Sequence, residues 1–192
     1  YTLYRPGEEV TRSGPWEDRE FVIAMDAATG ETVWEHEYPS EPLNFSNGAG
    51  PHATPLIVGD LVFTAGTNKQ IFAFNKKTGD VVWSVDLVAD HGAPPTLIRP
   101  AVKAGFAQSP LAYQGTIIMQ VGGKGQAVMA LRQSDGRVAW RSGDFLVAQA
   151  APIMIDVDGQ SQVVIFGGQT INGVDPDSGD ILWSHPHDTD AD

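Results

Sequence analysis

The chain has 192 residues, of which 42% are hydrophobic, so it is long enough and apolar enough to bury a sizeable core. Its 12 basic and 24 acidic residues give a formal net charge of −12, which argues against nucleic acid and anionic lipid surfaces as partners because both would be repelled. The sequence has no cysteine, which excludes disulfides and thiolate metal sites, and no apolar run approaches the roughly 18 residues of a transmembrane helix.

The predicted secondary structure consists of short strands separated by turns. In the first unit we expect residues 1–4 to be the remnant of a second strand, residues 5–19 to be an insertion loop, and residues 21–25 and 32–37 to be strands. The second unit is the clearest, with apolar runs at 53–58, 61–65, 70–74 and 81–87 between turns rich in Gly, Asp and Asn. No segment repeats with a 3.6-residue period, so helix should be nearly absent.

The third and fourth units repeat this order of four runs. Their predicted strands are 110–113, 116–121, 127–131 and 137–141, then 152–155, 162–166, 170–174 and 181–184. Each unit also carries a Gly followed four residues later by a Trp, and successive tryptophans are 49, 57 and 43 residues apart. The pairs are Gly30 and Trp34, Gly79 and Trp83, Gly136 and Trp140, and Gly179 and Trp183. Repeats of roughly 40–50 residues are typical of propeller blades.

These units predict an all-β fold, a β-propeller of four-stranded antiparallel blades seen as a partial arc of about three and a half blades. The domain would span residues 1–192, with a partial first blade at 1–38 and further blades at 52–88, 106–143 and 149–186. The sequence opens without an initiator Met or a basic leader, and an incomplete terminal blade would leave a bare sheet edge. We therefore expect the chain to be a segment of a longer propeller.

The turn between the third and fourth strands has a repeating chemistry. Asp or Asn at its first position can bond the backbone N–H groups ahead of it, and Gly at its last position accepts the positive φ that closes a bulged hairpin. Asp26, Asn75 and Asp175 fill the first position, whereas the third unit has Arg132. The indole that follows buries roughly 150–250 Å², so we predict a structural role in which each Trp locks its blade against a neighbour.

The pattern Ala-x-Asp-x-x-Thr-Gly-x-x-x-Trp resembles the tryptophan-docking motif of the pyrroloquinoline-quinone (PQQ)-like propeller repeat. The first unit matches it in full, from Ala24 to Trp34. The other units depart from it at Asn75, at Arg132 and Asp135, and at Gly173 and Ser178. Within this family the chain is most similar to bacterial PQQ-binding-like repeat proteins, relatives of the outer-membrane barrel-assembly lipoprotein and of quinoprotein dehydrogenases. The resemblance implies a periplasmic or other extracytoplasmic location.

The loops before the innermost strands would form the rim of the propeller channel. When the units are aligned on the Pro that starts each innermost strand, a polar side chain lies two or three residues before it in each of the three complete units. These residues are His52, Gln108 and Gln149, and we expect them to face the channel together, where they offer hydrogen bonds but no carboxylate. Two interpretations stay open, a ligand-binding rim or ordinary polar lining of the channel.

Three other patterns are suggestive, but each has a simpler explanation. The stretch Asp156-Val157-Asp158-Gly159 begins like a calcium loop but lacks the spaced ligands and the closing Glu. The glycine-rich stretch 122–125 lacks the helix that a phosphate-binding loop opens. His185 and His187 could bind a borderline metal, but they flank Pro186 near the chain end. We assign no metal site and no catalytic residue.

The leading hypothesis is a non-catalytic extracytoplasmic propeller that binds a protein or a small-molecule ligand, with no assigned cofactor. The resemblance implies an alternative, a quinoprotein dehydrogenase that uses PQQ and calcium to oxidise alcohols or sugars. Its alcohol-oxidising members place a vicinal Cys-Cys disulfide over the quinone, which a chain without cysteine cannot form. In this alternative, the carboxylate ligands of Ca²⁺ would lie on blades outside this chain.

Overall fold

The computed structural model describes residues 19–40, 51–95 and 106–187. It contains one two-stranded and three four-stranded antiparallel sheets, which confirms the predicted all-β architecture of successive blades. The expected strand remnant at 1–4 and residues 5–18 of the expected insertion loop lie outside the described residues. Arg19, which we expected at the end of that loop, instead begins the first strand.

The four sheets, named blades 1 to 4, follow one another along the chain. Blade 1 contains β1 (Arg19–Met25) and β2 (Thr32–Pro39). Blade 2 contains β3 (Leu56–Val58), β4 (Leu61–Ala65), β5 (Gln70–Asn75) and β6 (Val81–Asp86). Blade 3 contains β7 (Leu111–Tyr113), β8 (Thr116–Gln120), β9 (Val128–Arg132) and β10 (Val138–Ser142). Blade 4 contains β11 (Ile153–Val157), β12 (Gln160–Phe166), β13 (Thr170–Val174) and β14 (Ile181–Pro186).

A short helix, α1 (Leu87–His91), follows blade 2 and is the one helix in the described ranges. We predicted that the fourth strand would run to Leu87, but the strand ends at Asp86 and Leu87 is helical. The Asp86 carboxylate accepts the backbone N–H groups of Val88 and Ala89, both at 2.9 Å. This N-cap satisfies amides that a continuing strand would leave for a sheet partner, so the helix replaces the strand there.

Because neighbouring strands are antiparallel and in sequence order, the turns separate onto two faces. The hairpin face carries the turns between third and fourth strands, at 26–30, 75–79, 132–136 and 175–179. The rim face carries the turns between second and third strands, at 66–69, 121–127 and 167–169, and the segments that lead into the innermost strands.

The core lies between blades. Neighbouring residues of β8 point to opposite sides, as successive strand residues must. Ile117 belongs to a cluster shared with Phe63 and Ile71 of blade 2. Ile118 belongs to a second cluster, shared with Val163 and Ile165 of blade 4. Blade 3 is therefore buried on both sides, and apolar burial joins consecutive blades.

Three tryptophans reach the hairpin turn of the following blade. In each case the indole N–H donates to a backbone carbonyl of that turn. The bonds run from Trp34 to Lys76 at 2.9 Å, from Trp83 to Gln133 at 2.8 Å and from Trp140 to Pro176 at 2.9 Å. The hydrogen bond that a buried indole needs is thus supplied by the neighbouring blade.

The same three indole rings lie directly on the last residue of each receiving turn. A Cβ atom placed on Gly79, Gly136 or Gly179 would lie only 2.6–2.7 Å from the ring above it. These glycines also adopt φ values of 71–83°, which disfavour other residues. Glycine is therefore required twice, for the backbone angle and for close approach of the ring.

The first residue of each turn shows why Asp and Asn recur there. The Asp26 carboxylate accepts the backbone N–H groups of Ala28 and Thr29, both at 2.9 Å. The hydrogen bond from the Thr29 N–H, and to a lesser extent the one from the Ala28 N–H, hold the pKa of the Asp26 carboxyl below its usual value. In blade 3 this position is Arg132, whose side chain cannot accept hydrogen bonds. Instead, the Asp135 carboxylate accepts hydrogen bonds from the Arg132 guanidinium and from the backbone N–H of Arg137.

Candidate functional site

The segments that lead into the innermost strands lie side by side on the rim face. The backbone N–H of Thr54 donates to Ser109 Oγ at 2.9 Å, which joins blade 2 to blade 3. The Gln108 side-chain amide donates to the carbonyl of Ala148, which joins blade 3 to blade 4. The structure therefore makes the neighbourhoods of the three predicted rim residues contiguous.

The three rim residues differ in exposure. His52 and Gln149 are exposed, whereas Gln108 is completely buried. Gln108 points into the wall between blades 3 and 4, where it bonds Ala148, and not into open solvent. We expected Gln108 to face the channel together with His52 and Gln149. This expectation is corrected, because the Gln108 side chain is buried and its amide bonds a backbone carbonyl of the next blade. Its Oε1 atom is buried without a hydrogen-bond partner.

A second glutamine, Gln120, holds the same segment and was missed by the sequence analysis. Its amide donates to the carbonyl of Ala150 at 2.6 Å and accepts the backbone N–H of Ala148 at 3.1 Å. One side chain thus bonds the backbone on both sides of Gln149 and fixes the segment that presents it. The sequence feature that could have pointed to Gln120 is its position as a polar residue at the end of the apolar strand β8.

A buried carboxylate joins blades 1 and 2 on the rim face. Glu20, at the start of β1, accepts from the Tyr38 hydroxyl at 2.6 Å, the Ser40 hydroxyl at 3.0 Å and the backbone N–H of Thr67 at 3.1 Å. Burial, and then the neighbouring Glu20 carboxylate, raise the pKa of the Tyr38 hydroxyl. The bond to Thr67 crosses from one blade to the next.

Replacing Glu20 by Ala should lower the free energy of unfolding by about 2 kcal/mol, because it leaves buried donors without an acceptor. Chemical denaturation would measure the change. Glu35→Ala is the matched control, since Glu35 is exposed on β2 and surface substitutions are usually within about 0.5 kcal/mol of neutral. Equal losses for the two variants would contradict an inter-blade role for Glu20.

A buried cation joins blades 2 and 3 in the same way. Lys69 is only 1% exposed, and its ammonium donates to the carbonyls of Pro94 at 2.6 Å and Val121 at 2.7 Å. The ammonium also lies 5.7 Å from the centroid of the Phe106 ring, within cation–π range. Burial lowers the pKa of Lys69 to about 8, because a low-dielectric environment disfavours the charged form.

Glu20 and Lys69 occupy equivalent positions, each six residues before the first residue of its hairpin turn, Asp26 or Asn75. Each reaches the turn between second and third strands of the following blade, the carboxylate to an N–H and the ammonium to a carbonyl. The rim face thus has polar contacts between blades, opposite the indole contacts of the hairpin face.

The described rim does not fit a calcium-bound quinone. Ca²⁺ prefers several oxygen ligands, usually including carboxylates, and the stretches 51–55, 106–110 and 148–152 contain no Asp or Glu. Within the described residues, no three His, Cys, Asp or Glu side chains are grouped so that they could hold a metal. Among the described residues, Gln108 at the rim and Gln70 next to the rim turn 66–69 each have a buried amide oxygen without a hydrogen-bond partner, and two amide acceptors are too few to form such a site.

The remaining candidate motifs are structural where they are described. In the calcium-loop-like stretch, Asp156 accepts the N–H of Gly159 at 2.9 Å, and Asp158 adopts a φ of 53°, so the stretch is a tight turn between β11 and β12. His187 packs on Phe166, with ring centroids 4.5 Å apart, while His185 contacts the carbonyl of Pro186. Within 19–40, 51–95 and 106–187, no helix is long and apolar enough to cross a membrane.

Successive four-stranded blades with one indole per outer strand define a β-propeller of the PQQ-like repeat class. The chain belongs to the family described as outer membrane protein assembly factor BamB, which matches residues 18–192. This confirms the family resemblance found in the sequence.

Individual relatives include quinoprotein dehydrogenases and a BamB protein. The chain is 25% identical to the quinoprotein alcohol dehydrogenase PedH of Pseudomonas putida over 168 residues. This alignment covers 80% of this chain and 25% of PedH. In fold it matches BamB from Moraxella catarrhalis, with a TM-score of 0.57, 22% identity and coverage of 85% of this chain and 46% of that chain. It also matches a europium-containing methanol dehydrogenase, with a TM-score of 0.61, 18% identity and coverage of 87% and 38%. The chain thus spans a quarter of PedH and under half of either structure.

Proposed function

We propose that this chain is part of a non-catalytic, extracytoplasmic β-propeller whose rim face binds a protein or a small ligand. Membership in the BamB family supports the binding role and the location, since that family is described by outer membrane protein assembly. Nothing in this proposal requires a bound cofactor.

The donor set of the rim carries the proposal. His52 and Gln149 are exposed on segments held by side-chain hydrogen bonds from neighbouring blades, so they are presented on a fixed frame. Preorganised groups lower the entropy cost of binding. The set can donate and accept hydrogen bonds, but the three described rim segments lack the carboxylate that a general base or a Ca²⁺ site needs.

A quinoprotein dehydrogenase is the second candidate, and the match to PedH over 80% of this chain favours it. In that case, the carboxylates and the quinone contacts would come from parts of the protein other than the described rim segments. His52 and Gln149 would then be peripheral to the reaction, and Gln108 and Gln120 would support the wall of the channel.

Calorimetric titration of PQQ with Ca²⁺ into the folded full-length protein separates the two candidates. The binding propeller is expected to give no saturable heat, with tryptophan fluorescence as the control for folding. Saturable, Ca²⁺-dependent binding of PQQ near one equivalent would contradict the binding propeller and support the dehydrogenase.

Photo-crosslinking tests the binding face directly. A photo-reactive residue at Gln149, on the rim face, should form adducts in the periplasm of cells that produce the protein. The same residue at Lys77, exposed on the hairpin face, is the matched control. Equal adducts at the two positions, or none at Gln149, would contradict ligand binding at the rim.

A further inference from the structure

The polar contact between blades 3 and 4 differs from the contacts between the earlier blades. Between blades 1 and 2 and between blades 2 and 3, a charged side chain at one repeat position, Glu20 or Lys69, reaches the next blade. Gln126 has this position in blade 3, six residues before Arg132. Its amide donates to the carbonyl of His91, the last residue of α1, at 3.2 Å. No charged side chain at this repeat position therefore joins blades 3 and 4.

Two glutamines make the contact instead. Gln120, at the end of β8, and Gln108, in the segment that leads into β7, both bond the backbone of residues 148–150 at the entry to blade 4. The residues at the same repeat positions in blade 2 are Ala65, at the end of β4, and Ala53, in the segment that leads into β3. Two methyl groups of the repeat are thus replaced by two primary amides at this wall.

The wall between blades 3 and 4 also lacks a ring that the previous wall contains. Phe106, four residues before Pro110, is 1% exposed, and its ring lies beside the Lys69 ammonium. The residue four before Pro152 is Ala148. A phenyl ring and a lysine between blades 2 and 3 therefore correspond to a methyl group and two glutamine amides between blades 3 and 4, which makes the second wall richer in hydrogen-bonding groups.

The protein bonds three of the four oxygen and nitrogen atoms of these two amides. Gln120 Oε1 accepts the Ala148 N–H, and Gln120 Nε2 donates to the Ala150 carbonyl. Gln108 Nε2 donates to the Ala148 carbonyl. The fourth atom, Gln108 Oε1, is buried, and no donor of the described residues lies within hydrogen-bonding distance. Because the whole Gln108 residue is buried, bulk solvent does not reach this oxygen.

A buried amide oxygen in this position needs a donor. It has two lone pairs, an unpaired buried acceptor is unfavourable, and most buried polar groups in folded proteins bond the protein or an ordered water. Gln108 and Gln120 each carry a second amide N–H beyond the one that bonds the backbone. The site therefore offers donors as well as an acceptor, the combination that holds a buried water molecule.

We propose that the wall between blades 3 and 4 holds one ordered water molecule, which donates a hydrogen bond to Gln108 Oε1. Gln108 and Gln120 together hold residues 148–150, so the water is part of the frame that presents Gln149. It gives this wall the additional donor that the Lys69 ammonium gives the wall between blades 2 and 3. This water site would exist whether or not the rim binds a ligand.

A crystal structure of the full-length protein at high resolution tests the water site. The expected result is the density of one water at about 2.5–3.0 Å from Gln108 Oε1, with at least one further polar neighbour. A Gln108 Oε1 atom that bonds a protein group, or an ordered Gln108 without density beside it, overturns the proposal. So does a peak with six or more oxygen neighbours at about 2.3–2.6 Å, which would be a cation such as Ca²⁺.

Two variants show whether the water depends on this oxygen. Gln108→Met keeps an unbranched side chain without the amide, so the water should be lost while Gln120 still holds residues 148–150. Gln126→Met is the matched control, because Gln126 is also a buried glutamine that bonds a backbone carbonyl, but on α1 and not on blade 4. The water should remain in this variant.

A water that persists in Gln108→Met, or that is lost equally in Gln126→Met, overturns the assignment to Gln108 Oε1. Loss of the water in Gln108→Met alone supports it. If Gln108→Met does not fold, the density beside Gln108 in the parent protein decides between the two results.

Discussion

Replacing Trp83 by Ala is expected to lower the free energy of unfolding by about 3–5 kcal/mol, the range for truncating a large buried aromatic side chain. Trp83 lies 5.8 Å from Phe63 between ring centroids and is only 9% exposed. Its ring covers Gly136, and its N–H bonds the carbonyl of Gln133. Truncation would open a cavity between blades 2 and 3 and remove the donor of that carbonyl.

Trp183→Ala is the matched control, because it is the same substitution at the same repeat position with a mostly intra-blade environment. The expected loss is below about 1 kcal/mol, since Trp183 is 38% exposed. Urea denaturation measures both losses. A loss below about 1 kcal/mol for Trp83→Ala as well would contradict the locking role predicted for the repeat tryptophans.

The hairpin chemistry could be predicted from the sequence because it is local. Asp26 bonds N–H groups two and three residues ahead, and Gly30 needs its positive φ for a turn that five consecutive residues define. The spacing from that turn to Trp34 fixes the indole on the next strand. Four copies of one local rule therefore sufficed to predict both the strands and the blades.

The polar contacts between blades on the rim face could not be predicted in this way. Glu20 and Lys69 precede apolar runs, and in the sequence they look like ordinary charged turn residues. Their burial depends on where the turn of the following blade lies, and this follows from the packing of whole sheets. The burial of Gln108 could not be predicted for the same reason. Its position in the sequence indicated the rim, but its side chain bonds the carbonyl of Ala148 between blades 3 and 4.

The rim itself stays a prediction. The sequence placed His52, Gln108 and Gln149 before the innermost strands, and the structure makes their segments contiguous. The role of these residues could not be predicted because it depends on the ligand. Two exposed polar side chains on a fixed frame can line a channel or bind a partner equally well. Gln120 was missed because a single polar residue at a strand end has no spacing pattern.

Lys69 is expected to make the protein more stable as the pH rises from about 8 to 10. Its pKa is about 8 in the folded chain, against an ordinary value of 10.5, so the unfolded chain binds more protons between these values. The free energy of unfolding therefore increases with pH in that window, by about 2–3 kcal/mol in total. Below pH 8 the buried ammonium carries its full desolvation cost, and near pH 10 the folded chain holds neutral Lys69.

Lys69→Met keeps the unbranched side chain up to the ε position and removes the titrating group, so its free energy of unfolding should lack this rise. Lys77→Met, at an exposed position, should retain it. Guanidinium denaturation at several pH values up to 10 measures the slopes. The window ends there because the raised pKa of Tyr38 lowers stability only above the ordinary tyrosine pKa of about 10. Parallel slopes for the parent chain and Lys69→Met would show that Lys69 is not a buried cation, and that the polar contact between blades 2 and 3 is hydrated.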